Sequence, residues 1–148
     1  MKVVVLGGSG FLGVHLVREL LSSGKCSFVR VLDVRPFSDF IHSFGLGDDL
    51  CNGSRFESMC GSVLVAEDVE RACAGMDGCV HAASLIDFGN VPKARVWQVN
   101  VQGTECVIRA CRGAGVGALV YTSSLDVAVP AGGCVDGDET LPYIVDTP

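Results

Sequence analysis

The chain opens with an apolar strand that runs directly into a glycine-rich turn. Residues 3–6 are all apolar, and glycines follow at Gly7, Gly8, Gly10 and Gly13. Beyond the turn, apolar side chains recur on one predicted helical face, formed by Val14, Leu16, Val17, Leu20 and Leu21. This order predicts a strand–turn–helix unit whose glycines let the backbone approach a phosphate and whose helix presents free N–H groups to it.

An acid closes the second predicted strand, which covers residues 29–33. Asp33 stands where a carboxylate accepts hydrogen bonds from ribose hydroxyls, which favours NAD over its 2′-phosphorylated relative. The glycines form two overlapping triplets, one that begins at Gly7 and one that begins at Gly8. A glycine-rich turn can also be a tight turn without a ligand. Because the strand, the helix and the acid are all in place, the sequence predicts a dinucleotide site.

Length and composition narrow the class of protein. The chain has 148 residues, 49% of them hydrophobic, which is enough for one domain with a substantial core, and we expect a single domain over residues 1–148. The formal net charge of −6 argues against nucleic acid as a partner, because phosphate binding needs a basic surface. No stretch reaches the roughly 20 apolar residues that span a bilayer, so we expect no membrane segment in this chain and a cytoplasmic location.

The eight cysteines lack the spacing of a metal site or a disulfide framework. The sequence contains no C-x-x-C pair, and its first residues resemble a strand rather than a secretion signal. We expect reduced thiols that pack as small hydrophobes in a reducing compartment, and no metal site. The cysteines are Cys26, Cys51, Cys60, Cys73, Cys79, Cys106, Cys111 and Cys134.

Apolar runs alternate with helical patterns along the chain, which is typical of a parallel sheet covered by helices. We predict an α/β fold, a Rossmann-type doubly wound parallel sheet that is truncated after about the fifth strand. The predicted strands cover residues 3–6, 29–33, 56–60, 78–83 and 118–124. The predicted helices cover residues 10–23, 67–74 and a long segment from Pro92 to Gly113, whereas 36–55 and 128–148 are predicted to be largely irregular.

The carboxyl ends of the predicted strands are the candidate site, because ligands of open α/β sheets bind there. Residues 82–84 are small, which fits either the close approach of a cofactor or tight packing. Residues 122–124 carry hydroxyls that either bind a substrate oxygen or cap the strand, and the local sequence leaves both interpretations open.

Three polar residues near these strand ends have structural interpretations. His81 lies between apolar residues and is predicted to be a hydrogen-bonded core side chain rather than a base. Asn100 falls inside a predicted helix, where asparagine is mildly unfavourable, so we expect its side chain to bind a neighbouring strand or loop. Asp87 is predicted to be a turn residue.

Five segments carry a resemblance to a known family: Gly7-Gly8-Ser9-Gly10-Phe11-Leu12-Gly13, Arg30-Val31-Leu32-Asp33, His81-Ala82-Ala83-Ser84-Leu85-Ile86-Asp87, Asn100-Val101-Gln102-Gly103-Thr104 and Tyr121-Thr122-Ser123-Ser124-Leu125-Asp126-Val127. The chain resembles the 3β-hydroxysteroid dehydrogenase/isomerase family, within the extended short-chain dehydrogenase/reductase superfamily. The first and fourth segments occur across the superfamily. The third and fifth are more particular to the steroid branch.

The resemblance implies NAD as the cofactor, with the glycine turn on the pyrophosphate and Asp33 on the adenosine ribose. It also implies that Ser124 belongs to a Ser-Tyr-Lys set, in which the serine orients the reacting oxygen. In that set the tyrosine removes the hydroxyl proton and the lysine lowers the tyrosine's pKa. The implied cofactor-binding residues are Gly7, Gly8, Ser9, Gly10, Phe11, Leu12, Gly13, Asp33, Ala82, Ala83, Ser84, Asn100, Thr122 and Ser123.

The sequence departs from the family's pattern in two places. These residues contain no Tyr-x-x-x-Lys, because Leu125 stands four residues after Tyr121 and Thr147 stands four residues after Tyr143. Ser62 stands where the family usually has an acid, which removes a presumed adenine contact and weakens the expected cofactor binding.

We therefore expect the N-terminal, NAD-binding part of an oxidoreductase that acts on the CH–OH group of a 3β-hydroxysteroid or sterol. The chain alone is predicted to be inactive, because the base and its lysine are missing. A non-catalytic NAD-binding module and a fragment of a sugar-nucleotide epimerase or dehydratase remain as alternatives. The resemblance implies a steroid or sterol partner for the full-length protein and is compatible with a homodimer. Full-length family members often lie at endoplasmic reticulum or mitochondrial membranes.

Overall fold

The computed structural model describes residues 1–38, 53–129, 132–134 and 136–144. Most of the first segment predicted to be irregular, residues 39–52, lies outside the described residues, and so do parts of the predicted turn-rich tail. Among the residues that are described, no helix has the length and apolar character needed to cross a membrane.

Five parallel strands form a single sheet in the order β3-β2-β1-β4-β5. The chain therefore winds outward from β1 in both directions, which confirms the predicted doubly wound fold. The strands are β1 (Lys2–Leu6), β2 (Phe28–Asp33), β3 (Phe56–Cys60), β4 (Gly78–His81) and β5 (Ala118–Tyr121).

The strands β4 and β5 are shorter than predicted. The pairing of β1, β4 and β5 ends level with His81, because β1 bends away at Gly7 directly after its last paired residue. Residues 82–83 and 122–124, which we predicted as strand, therefore extend beyond the sheet. The N–H of Ala82 still donates to the carbonyl oxygen of Leu6, and the N–H of Thr122 to that of His81, and the residues that follow lie at the edge where ligands of such folds bind.

The helices are α1 (Phe11–Ser22), α2 (Ala66–Cys73), α3 (Lys93–Trp97), a π-helical turn (Gln98–Gln102) and α4 (Gly103–Ala114), and a short 3₁₀ turn covers Leu125–Val127. The first two match their predictions to within one residue at each end. The predicted long helix contains a π-helical turn that the sequence pattern did not predict. It ends as predicted at a glycine, since Gly115 adopts a φ of 70°.

Side chains alternate along β1 and enter two apolar layers, one on each face of the sheet. Val4 and Leu6 pack with the buried side chains of α2 and α4. Val3 and Val5 pack on the other face with those of α1. Because both faces are covered, β1 is apolar at four consecutive positions from Val3 to Leu6, as expected for a parallel sheet.

β5 forms one edge of the sheet and is much less buried than the central strands. All four of its residues are exposed, and Val120 retains 58% of its accessible surface. The outer backbone groups of an edge strand have no ladder partner. The sheet therefore ends in an apolar edge on this side.

Candidate cofactor site

The glycine turn has a conformation that only glycine adopts without strain. Gly7 has a φ of 82°, and a Cβ atom placed there would lie 2.5 Å from the backbone nitrogen of Ala83. A Cβ atom on Gly13 would collide with the carbonyl oxygen of Gly7, and one on Gly8 would lie 2.6 Å from Cγ1 of Val31. Gly7 and Gly13 are thus required by backbone contacts, because the turn, the first helix and β4 meet here, whereas a Cβ atom on Gly10 would lie 3.3 Å from the carbonyl oxygen of Gly7.

The carboxylate of Asp33 is held at the edge of this turn by two backbone groups. The N–H of Ser9 donates to Oδ2 at 3.0 Å, and the N–H of Arg35 donates to Oδ1 at 3.1 Å. The buried hydroxyl of Ser9 donates to the carbonyl oxygen of Arg35 at 3.0 Å. Each carboxylate oxygen accepts more than one hydrogen bond, so Asp33 keeps acceptor capacity for ribose hydroxyls.

A cavity of about 450 Å³ opens beside the turn, at the carboxyl ends of β1, β2 and β4. Six of the predicted site residues line it: Gly7, Gly10, Asp33, Ala82, Ala83 and Ser84. Eight others do not belong to its lining: Gly8, Ser9, Phe11, Leu12, Gly13, Asn100, Thr122 and Ser123. The side chains of Phe11 and Leu12 are exposed on the first turn of α1, so only their backbone groups are candidates for a contact with phosphate.

The cavity also has lining residues that sequence reasoning did not select. Arg35 and Arg95 are the two cationic side chains of the lining, and a guanidinium is suited to phosphate. Arg35 follows Asp33 closely in sequence, which is a signal that was available. Arg95 is brought to the cavity by α3, and no local pattern indicates it. The remaining additions are Leu32, Val34, Gly61, Val63, Leu85 and Val99, and the lining also includes Ser62, whose position the sequence analysis had already singled out.

A polar network behind the cavity joins β4 to the helical layer. The hydroxyl of Thr104 donates to the carbonyl oxygen of Asn100 at 2.7 Å, so it accepts from Nε2 of His81 at 3.0 Å. The Nδ1 atom of His81 is then an acceptor with no partner among the described residues. Burial lowers the pKa of His81 to about 4, so the ring is neutral at pH 7. His81 is a core side chain as predicted, although only one of its nitrogens is paired.

Asn100 carries this network to the cavity wall. Its Oδ1 accepts from the N–H of Leu85 at 2.8 Å, and its Nδ2 donates to the carbonyl oxygen of Leu85 at 2.9 Å. This confirms the prediction that the Asn100 side chain binds a neighbouring strand or loop. Asn100 thus acts on the cavity through Leu85 and lies outside its lining.

Taken together, the cavity residues fit a dinucleotide. The glycine turn gives the cavity a floor of bare backbone, α1 begins at its edge, and Asp33 is fixed where a ribose would lie. A sequence model of the 3-beta hydroxysteroid dehydrogenase/isomerase family matches residues 4–147. The chain belongs to this family.

Two curated relatives of the family illustrate the likeness. The chain is 37% identical to the 3-beta-hydroxysteroid dehydrogenase of Mycolicibacterium neoaurum, over 96% of this chain and 37% of that protein. It is 39% identical to human 3 beta-hydroxysteroid dehydrogenase type 7, over 86% of this chain and 33% of that protein. The chain therefore spans about a third of the length of these relatives.

The fold of this family member is also similar to solved structures. DesIV, a dTDP-glucose 4,6-dehydratase from Streptomyces venezuelae solved with NAD and TYD bound, matches with a TM-score of 0.78 and 27% identity. The match covers 97% of this chain and 45% of that chain.

At Ser62 this 3-beta hydroxysteroid dehydrogenase/isomerase family member has a hydroxyl in the cavity lining in place of an acid. The Ser62 hydroxyl accepts from the N–H of Leu64 at 3.2 Å, and the N–H of Ser62 donates to Asp68 at 3.0 Å. The serine thus caps the turn that enters α2, and the nearest acid is engaged with the backbone.

The hydroxyl of Ser124 is engaged locally in this family member. It donates to Oδ2 of Asp126 at 2.9 Å and accepts from the N–H of Asp126 at 3.2 Å, so Ser124 caps the 3₁₀ turn. The sequence left two interpretations of this hydroxyl open, a cap at the end of the strand and a contact with substrate. In the structure the hydroxyl makes a capping contact. Thr122 is held too, because its hydroxyl donates to the carbonyl oxygen of His81 at 3.2 Å.

Proposed function

We propose that this chain is the N-terminal, NAD-binding part of an oxidoreductase that acts on the CH–OH group of a 3β-hydroxysteroid or sterol. The observation that carries the proposal is the cavity between the Gly7 turn and Asp33 in a chain of this family. The substrate class follows the names of the relatives, both of which are 3β-hydroxysteroid dehydrogenases.

The proposed roles divide the site into four parts. The glycine turn and the first N–H groups of α1, contributed by Phe11, Leu12 and Gly13, bind the pyrophosphate, whereas the N–H of Ser9 holds Asp33 in place. Asp33 accepts from the adenosine ribose and repels a 2′-phosphate. Ala82, Ala83 and Ser84 leave room for the cofactor along β4, and Asn100 fixes that segment through Leu85. Thr122 and Ser123, after the end of β5 and outside the lining of the cavity, are proposed to contact the cofactor beyond it.

NAD, when bound, supplies an electrophilic ring that accepts a hydride from the carbinol carbon. Ser124 is the residue proposed to orient the reacting oxygen, and its hydroxyl must exchange Asp126 for substrate to do so. The chain has no Tyr-x-x-x-Lys to remove the hydroxyl proton. Loss of one member of a catalytic set costs several powers of ten in rate, and here two are lacking. We therefore expect the 148-residue chain to bind NAD without turning over a steroid.

The binding part of the proposal is tested by calorimetric titration of the chain with NAD and NADP. Asp33→Ala is expected to weaken NAD binding about 10- to 100-fold, because a charged hydrogen-bond acceptor is lost. The ratio of the affinity for NAD to the affinity for NADP should fall as well. Asp77→Asn is the matched control, since Asp77 accepts from the backbone of Lys2 at the opposite end of the sheet. Equal affinities of wild type and a folded Asp33→Ala variant would refute the assigned role.

The catalytic part needs a separate test. The purified chain is incubated with NAD and a 3β-hydroxysteroid, and NADH formation is followed against a blank. Turnover above the blank would overturn the predicted inactivity. Sequencing of the transcript beyond the codon for Pro148 then distinguishes the dehydrogenase from a non-catalytic NAD-binding module. A downstream Tyr-x-x-x-Lys supports the dehydrogenase, whereas a stop codon supports a non-catalytic NAD-binding module.

A further inference from the structure

Three buried cysteines meet on the face of the sheet covered by α2 and α4. Cys73 ends α2, Cys79 lies on β4 and Cys111 lies on α4, and all three are free thiols. Their sulfur atoms lie within 4.8 Å of one another, and Sγ of Cys73 is 3.9 Å from Sγ of Cys111. Their exposed fractions are 0%, 1% and 4%. We call this group the trithiol cluster.

We propose that the trithiol cluster is a binding site for trivalent arsenic of the arsenous acid class, held by one bond to each of the three sulfurs. The site is separate from the cofactor cavity, whose lining includes none of these cysteines. The inference therefore does not depend on the proposed function.

The spacing of the sulfurs suits a single central atom. Bonds of about 2.3 Å, the length of a zinc–thiolate bond, hold three sulfurs about 4 Å apart in a plane and somewhat closer in a pyramid. The 3.9 Å separation of Cys73 and Cys111 already has this value, and the 4.8 Å limit leaves only small side-chain rotations for Cys79. A direct disulfide would join only two of the sulfurs.

Charge selects the kind of central atom. Three thiolates around a monovalent or divalent metal ion leave a net negative charge, which is costly in an apolar core. The nearby cation Arg30 offsets only part of this charge, because it is also paired with Glu57 at 2.7 Å. In the part of the chain that is described, no histidine or carboxylate joins the three sulfurs to complete a tetrahedral zinc site. Trivalent arsenic with three sulfurs is neutral and needs no fourth ligand.

The reaction is a balanced condensation without a change of oxidation state. As(OH)₃ and three thiols give one As(SR)₃ unit and three water molecules, so three As–O and three S–H bonds break and three As–S bonds form. Each thiol proton leaves with one hydroxyl group as water.

The test is mass spectrometry of the intact, folded chain after incubation with sodium arsenite and a phosphine reductant. The expected product carries one arsenic and has lost three hydrogens, and its unfolding midpoint is higher because the ligand binds the folded state. Each of Cys73→Ala, Cys79→Ala and Cys111→Ala should lose this product. Cys106→Ala is the matched control, because Cys106 is another buried cysteine of α4 outside the cluster, and it should retain the product.

X-ray absorption at the arsenic edge counts the sulfur and oxygen neighbours of arsenic in the wild-type adduct, so it tests the proposal even if an alanine variant fails to fold. Three sulfur neighbours and no oxygen in the wild-type adduct are expected. A first shell with two sulfurs and one oxygen would overturn the proposal. So would a wild-type chain that forms no adduct, or a product that persists in a folded variant lacking a cluster cysteine. Stronger retention of zinc than of arsenic would also contradict it.

Discussion

The side-chain amide of Asn100 binds the backbone of Leu85 through both of its polar atoms, accepting from the N–H at 2.8 Å and donating to the carbonyl oxygen at 2.9 Å. In this way a residue of the π-helical turn takes the place that a neighbouring strand has in a ladder. The loop after β4 is thereby fixed beside the cavity at the point where β1 no longer accompanies it.

Substitution of Asn100 by alanine is expected to lower the free energy of unfolding by about 1–3 kcal/mol, because the Leu85 backbone groups lose their partners. The affinity for NAD should fall as well, since Leu85 lines the cavity. Urea unfolding and NAD titration measure the two effects. Asn90→Ala is the control, because Asn90 is exposed and uses its backbone N–H to bind Asp87, which alanine preserves. Equal losses in both variants would contradict the role of Asn100.

Two glycine substitutions should have opposite signs. Gly7→Ala is expected to destabilise the chain by about 2–4 kcal/mol, because of its positive φ and the collision with Ala83. Gly113→Ala should stabilise it by roughly 0.5–1 kcal/mol, since Gly113 is helical and a Cβ atom there meets nothing within 4 Å. Thermal unfolding of both variants makes the comparison. A Gly7→Ala variant as stable as wild type would disprove the strained turn.

The burial of neutral His81 predicts a pH dependence of stability. Its folded pKa of about 4 lies below the ordinary value of 6.5, so between these values the unfolded chain binds the proton more tightly. The contribution of His81 is therefore fully present above pH 6.5. It is lost as the pH falls towards 4, by at most about 1.4 kcal/mol per pH unit. Urea unfolding at pH 7 and pH 5 should show this slope in wild type and in the surface control His15→Asn. A His81→Asn variant that keeps the full slope would count against the assignment.

Replacement of Ser62 by aspartate restores the acid that the family pattern has at this position. We expect NAD to bind about fivefold more tightly, which corresponds to one additional hydrogen bond of about 1 kcal/mol to the adenine amino group. The gain is limited by repulsion from Asp68, which already accepts from the N–H of residue 62. Ser54→Asp, at an exposed position, controls for added charge. Weaker NAD binding by a folded Ser62→Asp variant would show that Asp68 dominates.

Those features of the chain that depend on neighbours in sequence were predictable. The Gly7 turn and the strand before it follow from consecutive residues, and the turn role of Asp87 is confirmed by its three hydrogen bonds to the backbone at residues 89–91. The doubly wound parallel class of the sheet followed from the alternation of strands and helices. These are short-range or topological properties, which sequence patterns record directly.

The remaining features depend on contacts between distant residues. The trithiol cluster consists of Cys73, Cys79 and Cys111, which lie on three different elements. A search for short cysteine spacings such as C-x-x-C therefore could not reveal it. Arg95 reaches the cavity only because α3 folds across the carboxyl ends of the strands. The π-helical turn contains no buried residue that would mark it in the sequence, and the bond between Asn100 and Leu85 joins residues that are 15 positions apart.

The close approach of Gly7 to Ala83 has a consequence for the thermodynamics of ligand binding. Folding itself brings the turn after β1 against the end of β4, and the absence of a Cβ atom at Gly7 leaves no side chain to be moved aside. A ligand that binds there meets a rigid backbone surface. Binding of the ligand therefore costs little conformational entropy in this part of the protein. Its association also needs no slow rearrangement of the glycine turn.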